Sequence, residues 1–295
     1  MHWIQMNTTD QDKSPKPGVR NLITDVPGLK VANRAEAGLK SGVTVLLPDR
    51  PVKAAYDIRG GGVGSRELGA LRPGGTVENI HGLVLSGGSA FGLDAATGVQ
   101  AYLREKSVGF EIGDINVPIV PQAILFDLLN GGDKDWGTFP PYRDMAYAAC
   151  ADVSDTFELG STGAGSGATT FGLKGGLGSA SLKLEDGLIV GALAAVNAVG
   201  SVVIGQTRHF WAAPFEIDAE FGSHGLPEPF PKNPIPTLNL SEPGENTTLC
   251  VVATNAALDQ NELTRLAIMA QTGMARAIMP VHTPLDGDIV FALST

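Results

Sequence analysis

The chain has 295 residues, 43% of them hydrophobic, which is enough to bury a sizeable core, and we predict a single domain over residues 1–295. Its formal net charge of −10 argues against a nucleic-acid partner, which requires a basic surface, and against a membrane partner bound through basic residues. Two cysteines are too few for a disulfide framework, and we find neither a signal-peptide pattern nor a run of ~18 apolar residues, so we expect a cytoplasmic protein.

Short apolar runs alternate with glycine turns in the first half of the chain. Residues 42–47 and 82–86 are apolar and rich in Val and Leu, which predicts two buried strands. The second run passes through a glycine turn into the helical pattern of 93–103, and such a turn can present backbone N–H groups to a ligand. We therefore predict that this turn binds substrate through Gly87, Gly88 and Ser89, with packing as the alternative role of Ser89.

Longer periodic patterns fill the second half of the chain. Apolar residues at helical spacing predict two helices, 142–152 and 259–278. Gly, Ala and Ser dominate residues 160–181, which predicts a succession of turns. The remaining apolar runs predict strands at 188–196, 201–205, 249–253 and 289–293. Strands interleaved with Ala-rich helices indicate layered sheets that carry helices on their outer faces.

Thr247 stands between a long proline-rich loop, 206–245, and the predicted strand 249–253. Loops of this length are uncommon in a compact domain unless they have a function, such as presenting a bond for cleavage. Cleavage before Thr247 would free an α-amino group with a pKa of ~7.7–8, which could act as general base for the threonine hydroxyl. From this stretch alone, the simpler interpretation of Asn246-Thr247-Thr248 is a polar start to a strand.

Further motifs occur in order along roughly residues 20–295 and change that interpretation. They are Asp57-Ile58-Arg59-Gly60-Gly61, Leu85-Ser86-Gly87-Gly88-Ser89-Ala90-Phe91-Gly92-Leu93, Gly163-Ala164-Gly165-Ser166-Gly167-Ala168, Lys174-Gly175-Gly176-Leu177-Gly178-Ser179-Ala180-Ser181, Val196-Asn197-Ala198-Val199-Gly200 and Asp286-Gly287-Asp288. Together with the 246–256 stretch, this set resembles the DmpA-type aminopeptidases, the family of L-aminopeptidase/D-esterases and β-peptidyl aminopeptidases. Threonine at 247 is similar to the nylon-oligomer hydrolase branch. The resemblance implies an α+β fold, a four-layer α/β/β/α sandwich of DmpA/ornithine acetyltransferase type.

The same resemblance implies self-cleavage of the Asn246–Thr247 bond, which would give fragments 1–246 and 247–295 with Thr247 as the nucleophile. It also implies that Asp286 and Asp288 flank this nucleophile. Alternate residues of a strand share a face, so both carboxylates could meet the Thr247 hydroxyl and ammonium. From the residues alone, Asp-Gly-Asp before a strand is more commonly only a turn.

Asn197 and Lys174 complete the catalytic residues that the resemblance implies. Asn197 would donate a hydrogen bond to the oxyanion, although a buried amide at a strand end can also serve as a cap. Lys174 would assist catalysis, although lysines after glycine runs are usually solvated charges. Lys183 is the alternative lysine because loop length varies within the family.

Gln122 occupies a position that matters for substrate choice. Exo-acting aminopeptidases of the family carry a glutamate in a Pro-Val-Val-Gly-Glu run, which binds the substrate ammonium. The matching run here is 118–122, and the neutral Gln122 cannot supply that ion pair. We therefore expect Gln122 at the substrate, and endo-type cleavage unless another acid such as Asp127 takes over.

The sequence thus predicts an autoprocessed amide hydrolase that acts on peptides or short oligoamides through an acyl-enzyme, without metal or cofactor. Its histidines show no zinc-ligand spacing, and we interpret His282 and Cys250 as structural. The family resemblance implies a homo-oligomer, a tetramer of processed protomers. Two alternatives stay open: an acyltransferase of ornithine acetyltransferase type, and an unprocessed homologue without catalysis.

Overall fold

The computed structural model describes residues 15–184, 186–237 and 246–295. Within them, two large β-sheets carry the longer helices on their outer faces. In chain order the strands are β1 (Lys16–Pro17), β2 (Leu29–Glu36), β3 (Ser41–Pro48), β4 (Val52–Ile58), β5 (Gly64–Arg66), β6 (Asn79–Ile80), β7 (Leu83–Ser86), β8 (Phe110–Ile112), β9 (Ile115–Val117), β10 (Gln122–Ile124), β11 (Thr169–Thr170), β12 (Leu173–Lys174), β13 (Gly176–Lys183), β14 (Ile189–Asn197), β15 (Thr247–Thr254) and β16 (Ile289–Ser294). The α-helices are α1 (Ser89–Gly92), α2 (Ala95–Glu105), α3 (Tyr142–Cys150) and α4 (Gln260–Ala277).

One sheet has the strand order β1-β13-β14-β15-β16-β4-β6, and the other has the order β2-β3-β7-β10-β5. The central strand β15 runs antiparallel to β14 and parallel to β16. Its apolar, β-branched residues suit a strand that is buried on both faces. Thr247, the first residue of β15, pairs with Asn197, the last residue of β14. The sheet topology therefore brings two predicted site residues side by side.

The main hydrophobic core lies between the two sheets. Because side chains alternate along a strand, every second residue of β15 points into this core: Leu249, Val251 and Ala253. β16 contributes residues such as Phe291, and the five-stranded sheet contributes residues such as Leu85. Each large apolar side chain buried in this way stabilises the fold by ~1.5–3 kcal/mol.

Two smaller cores attach the helices to the outer sheet faces. α2 and α3 cover the five-stranded sheet, where Val99 and Ala146 pack with Val84. α4 covers the seven-stranded sheet, where Leu263 packs with Val252. α4 follows Asp259, whose carboxylate accepts from the backbone N–H groups of Asn261 and Glu262, as a strong helix start requires. The order of layers is therefore helix, sheet, sheet, helix.

Two predicted segments differ from the structure. Residues 176–181, predicted as turns, belong to the strand β13, which pairs with β14 along its whole length. Its small residues have little strand preference, so this pairing decides its conformation. Residues 201–205, predicted as a strand, make only isolated bridges, from Ser201 to Met279 and from Val203 to Phe210. The Ser201 hydroxyl binds the N–H and carbonyl of Val203 and so competes with a regular ladder.

The other predicted helices and strands agree with the structure to within a few residues at their ends. No helix in the described ranges is long and apolar enough to cross a membrane.

Candidate active site

Thr247 is almost completely buried where β15 begins, with 2% of its surface exposed. Its hydroxyl Oγ1 donates to the carbonyl oxygen of the preceding residue, Asn246, at 2.5 Å. The Asn246 carbonyl oxygen also accepts the backbone N–H of Gly287 at 2.9 Å. The carbonyl of the peptide bond before Thr247 therefore accepts two hydrogen bonds, one from the Thr247 hydroxyl and one from Gly287.

The residue before the nucleophile is held by the loop that precedes β16. Asn246 donates its backbone N–H to the carbonyl of Leu285 at 3.1 Å and accepts from Gly287. These two bonds make a short parallel bridge centred on Asp286. The Asn246–Thr247 bond is thus fixed by backbone contacts on both of its sides, since Thr247 is paired with Asn197.

Glycines allow two backbone segments to approach this site closely. Gly62 donates to the carbonyl of Asp286 at 2.8 Å, and Gly60 donates to the carbonyl of Asp288 at 3.2 Å. A Cβ on Gly60 would lie 2.2 Å from the Asp288 nitrogen, and one on Gly287 would lie 2.6 Å from Thr247 Oγ1. Both positions therefore require glycine, which explains the glycine motif after Asp57.

Asp286 is buried beside the nucleophile but contacts backbone and hydroxyl donors. Its Oδ1 accepts the N–H of Val199 at 3.0 Å, and its Oδ2 accepts the Thr283 hydroxyl at 2.5 Å. Burial raises the pKa of this carboxyl above its ordinary value, and the neighbouring charge of Asp288 acts in the same direction. Asp286 therefore ties the 283–286 turn to the segment that follows Asn197.

Asp288 has no exposed surface and binds three donors. Its Oδ1 accepts the backbone N–H of Thr248 at 2.7 Å. Its Oδ2 accepts the backbone N–H of His282 at 2.9 Å and lies 3.0 Å from the His282 Nδ1. The expectation that both acids meet the Thr247 hydroxyl needs correction, because their described bonds go to the backbone and side chains around it.

Asn197 joins the nucleophile strand to a neighbouring loop. Its side-chain oxygen accepts the Thr169 N–H at 2.8 Å, and its amide nitrogen donates to the Phe126 carbonyl at 2.9 Å. A carboxamide has two N–H groups, so one further donor is available next to Thr247. The sequence left two alternative roles for Asn197, a strand-end cap and an oxyanion donor, and this geometry allows Asn197 to fill both.

Lys174 lies at the exposed edge of a cleft of about 680 Å³, whose wall includes Thr169. It pairs with Thr169 in the β11–β12 ribbon, and Thr169 binds Asn197, so Lys174 belongs to the neighbourhood of the nucleophile. Lys183 lies at the opposite end of β13 and pairs with Lys16 on β1. The distance along seven residues of strand is ~23 Å, which removes Lys183 from this neighbourhood.

The turn 87–89 does not present free N–H groups as predicted. Gly87 donates to the Gly42 carbonyl, Gly88 donates to Asp127 Oδ1, and Ser89 donates to the Leu125 carbonyl. Gly87 and Gly88 are buried, and Ser89 is half-buried. The turn 87–89 therefore supports the segment 125–127, and Phe126 of that segment binds Asn197. Substrate binding by this turn stays a prediction for Ser89 alone.

Gln122 also differs from the prediction, because its side chain has no exposed surface. Its side-chain oxygen accepts the Ala96 N–H at 2.9 Å, and its nitrogen donates to the Gly92 carbonyl at 2.5 Å. Both amide groups are thus satisfied by the backbone around the start of α2. The position cannot bind a substrate ammonium, and the endo-type expectation that depended on Gln122 loses its support.

The cysteines are unsuited to nucleophilic chemistry. Cys250 lies on the outer face of β15 against α4, on the side opposite to Thr247. Burial raises the pKa of both Cys150 and Cys250 to about 12, so neither thiol ionises near neutral pH. Across the described ranges, no three His, Cys, Asp or Glu side chains are grouped as metal ligands would be.

Comparison with known proteins identifies the family. The sequence profile described as Peptidase family S58 matches residues 21–295. The chain belongs to peptidase family S58. The protein named "Uncharacterized aminopeptidase Rv1333" of Mycobacterium tuberculosis is 42% identical over 289 residues, which cover 93% of this chain and 81% of the relative. A 6-aminohexanoate-oligomer endohydrolase of Kocuria sp. is 28% identical over 289 residues, covering 94% and 76% of the two chains.

A solved structure supports the fold of this S58 peptidase. The Burkholderia sp. beta-aminopeptidase superposes with a TM-score of 0.70 at 23% identity, over 96% of this chain and 74% of that one. The predicted α/β/β/α sandwich and the family resemblance are confirmed. The protein is a hydrolase that acts on amide bonds.

Sequence reasoning missed two residues of the site. Gly287 was considered only as the spacer of Asp-Gly-Asp, and Thr283 was not considered. In the structure the His282 ring contacts the carboxylate of Asp288, and the Thr283 hydroxyl donates to the carboxylate of Asp286. A turn with a hydroxyl three residues before a carboxylate was the available signal, because such residues bond locally.

Proposed function

We propose that this S58 peptidase cleaves its own Asn246–Thr247 bond and then uses Thr247 as an amino-terminal nucleophile against peptides or short oligoamides. One observation carries the proposal: the Thr247 hydroxyl lies 2.5 Å from the Asn246 carbonyl oxygen, which also accepts the Gly287 N–H. A hydroxyl held against the bond that it must attack lowers the entropic cost of the reaction.

Self-cleavage would proceed as an N-to-O acyl shift followed by hydrolysis. Thr247 Oγ1 attacks the Asn246 carbonyl carbon, and the hydroxyl proton passes to the Thr247 nitrogen. The C–N bond breaks as the ester C–O bond forms. The Gly287 N–H already donates to the oxygen that becomes negative in the tetrahedral intermediate. Water then hydrolyses the ester, which leaves a carboxyl group on Asn246 and a free hydroxyl and α-amine on Thr247.

Turnover would reuse the same atoms on a substrate. The new α-amine accepts the Thr247 hydroxyl proton while Oγ1 attacks the substrate carbonyl. The proton passes to the leaving amine, and the acyl group stays on Thr247 as an ester until water removes it. Gly287 and the second amide N–H of Asn197 lie next to Thr247 and could stabilise the oxyanion. Asp286 and Asp288 fix the backbone on either side of this centre.

The substrate class is supported by the relatives. One relative is named an aminopeptidase and another a 6-aminohexanoate-oligomer endohydrolase, and both names describe hydrolysis of amide bonds. We therefore propose peptides and short oligoamides as substrates of this chain.

Intact-mass analysis under denaturing conditions, combined with an amide-hydrolysis assay, tests this function. The purified protein should give two masses, those of residues 1–246 and 247–295, and should hydrolyse short peptides or 6-aminohexanoate oligomers. A single full-length chain that hydrolyses amides would contradict the proposed nucleophile. The homotetramer and the cytoplasmic location stay predictions, and light scattering of the processed protein measures the first of them.

A further inference from the structure

The cleft beside Lys174 has an unusual charge for this protein. It has a volume of about 680 Å³, and its lining includes Lys40 on one segment and Lys174 on another, with no Asp or Glu among the lining residues. The chain as a whole carries a formal net charge of −10. We call this pocket the lysine cleft. It is a local positive site in a protein that is otherwise acidic.

The two lysines are free to attract a ligand. Both are exposed, and neither forms an ion pair among the residues that the structure describes. The nearest buried acid, Asp127, lies behind the wall of the cleft at Gly167. Burial raises the pKa of this carboxyl, and Lys134 lies close enough for its charge to act on it. Asp127 is 3% exposed and its Oδ1 accepts the Gly88 N–H, so it forms no ion pair with Lys40 or Lys174 in the described structure.

Polar groups of the cleft add hydrogen-bond donors. Thr170 lines the cleft and is only 7% exposed, yet its hydroxyl has no hydrogen-bond partner in the described structure. Buried hydroxyls normally have partners, so an unsatisfied one beside a cleft suggests that a polar ligand completes the site. Ser161, Ser166 and Asn130 line the same cleft. Ammonium and hydroxyl groups together form the usual surroundings of a bound carboxylate.

The lysine cleft lies next to the nucleophile. Its wall residue Thr169 donates to Asn197, and Asn197 pairs with Thr247. A cationic cleft repels the ammonium at the amino end of a substrate, so the carboxyl end is the part that it can bind.

We propose that the lysine cleft binds the terminal carboxylate of the leaving group, so that the enzyme prefers short peptides or oligoamides with a free carboxyl end. This inference rests on the proposed function, since it names the substrate class of the same site. Lys40 is the specificity-determining residue that can be tested, because Lys174 is already a candidate for the catalytic step.

The test compares two substrates that differ only at the carboxyl end: a short alanine peptide, and the same peptide with a carboxamide. The ratio of their kcat/KM values is measured for the wild type, Lys40→Gln, Lys40→Arg and Lys106→Gln. The ratio does not depend on the active fraction of a preparation, so a partly misfolded variant still gives an answer. Lys106 is a matched control, since it lies over the Tyr102 ring near the end of α2 and outside the cleft.

We expect the wild type and Lys106→Gln to prefer the free carboxylate by about tenfold or more, as a charge-assisted contact provides. Lys40→Gln should reduce the ratio to about two through a higher KM for the free carboxylate, and Lys40→Arg should restore it. A wild-type ratio near one, or a ratio that Lys40→Gln leaves unchanged, would overturn the proposal.

Failure of the proposed function has a different signature. If neither peptide is hydrolysed, calorimetry of both peptides with the full-length Thr247→Ala chain still tests the cleft. Tighter binding of the free carboxylate, lost in the Thr247→Ala/Lys40→Gln chain, would support the carboxylate site alone. Equal binding of the two peptides would overturn it.

Discussion

The backbone amide of Gly287 donates a 2.9 Å hydrogen bond to the carbonyl oxygen of Asn246, the oxygen that the Thr247 hydroxyl also contacts. Two donors on one carbonyl oxygen polarise the carbonyl and are in place before any negative charge develops. The acids on either side of Gly287 hold it there, because Asp286 binds Val199 and Asp288 binds Thr248. The Asp-Gly-Asp motif is therefore one unit, in which the glycine makes the contact and the acids position it.

Replacement of Thr247 tests the nucleophile. Thr247→Ala removes the only hydroxyl that contacts the Asn246 carbonyl among the described residues, so the chain should stay whole and inactive. Thr248→Ala is the matched control, because this neighbour is equally buried and its hydroxyl has no hydrogen-bond partner in the described structure. Denaturing mass spectrometry should show two fragments for Thr248→Ala and one chain for Thr247→Ala. The same two fragments from both variants would remove Thr247 as the processing nucleophile.

Gly287→Ala should block processing. The added Cβ would lie 2.6 Å from Thr247 Oγ1 and 2.8 Å from the Gly62 carbonyl oxygen, so the hydroxyl must move from the bond. A misplacement of about 1 Å can reduce a rate ~100-fold. Gly69→Ala is the control, since a Cβ there meets nothing within 4 Å. Processing is followed on denaturing gels over time, and normal cleavage of Gly287→Ala would show that this contact is unimportant.

Substitution of the two acids should reduce kcat strongly. Asp286→Asn and Asp288→Asn each replace one acceptor oxygen with a donor that faces another donor, Thr283 or His282. We expect each variant to lose ~1–3 kcal/mol of stability from the unsatisfied group and most of its turnover. The exposed acid Asp49, paired with Lys30, provides the control Asp49→Asn. Near-normal kcat in both variants would leave Asp-Gly-Asp as a turn without a catalytic role.

Much of the fold could be predicted from local patterns, whereas the contacts of the site could not. The apolar periodicity of 259–278 and the β-branched run 249–253 gave α4 and β15 because pattern and burial agree there. β13 was missed because Gly, Ala and Ser have little strand preference and its conformation depends on pairing with β14. The partners of Asp286 and Asp288 were missed because they are backbone groups brought in by the tertiary fold.

Gln122→Glu tests the corrected position of Gln122. The buried amide donates to the Gly92 carbonyl, and a glutamate would place a carboxylate against that oxygen instead. We expect a loss of ~1–3 kcal/mol in unfolding free energy and no change in the ratio of kcat/KM for free and N-acetylated substrates. Gln206→Glu is the control, because Gln206 is exposed. A shift of more than about tenfold toward the free amine would restore Gln122 to the substrate site.

Asp127 gives a prediction about pH and stability. It is 3% exposed, and its Oδ2 has no hydrogen-bond partner in the described structure, so burial raises the pKa of its carboxyl above the ~3.9 of an unfolded chain. Between these two pKa values the folded state binds more protons than the unfolded state. The contribution of Asp127 to stability is therefore complete below pH ~3.9 and is lost as the pH rises through the folded-state value.

Asp127→Asn should thus gain stability over the parent chain as the pH rises. The amide cannot ionise, and its oxygen can keep the bond that Asp127 Oδ1 accepts from the Gly88 N–H at 2.8 Å. Melting temperatures are compared at pH 4 and pH 7.5 in the Thr247→Ala background, which we expect to be one continuous chain. The difference, variant minus parent, should be more positive at pH 7.5 by a few degrees, at ~2–4 °C per kcal/mol for a large domain. An equal difference at both pH values would mean that Asp127 titrates alike in the folded and unfolded chains.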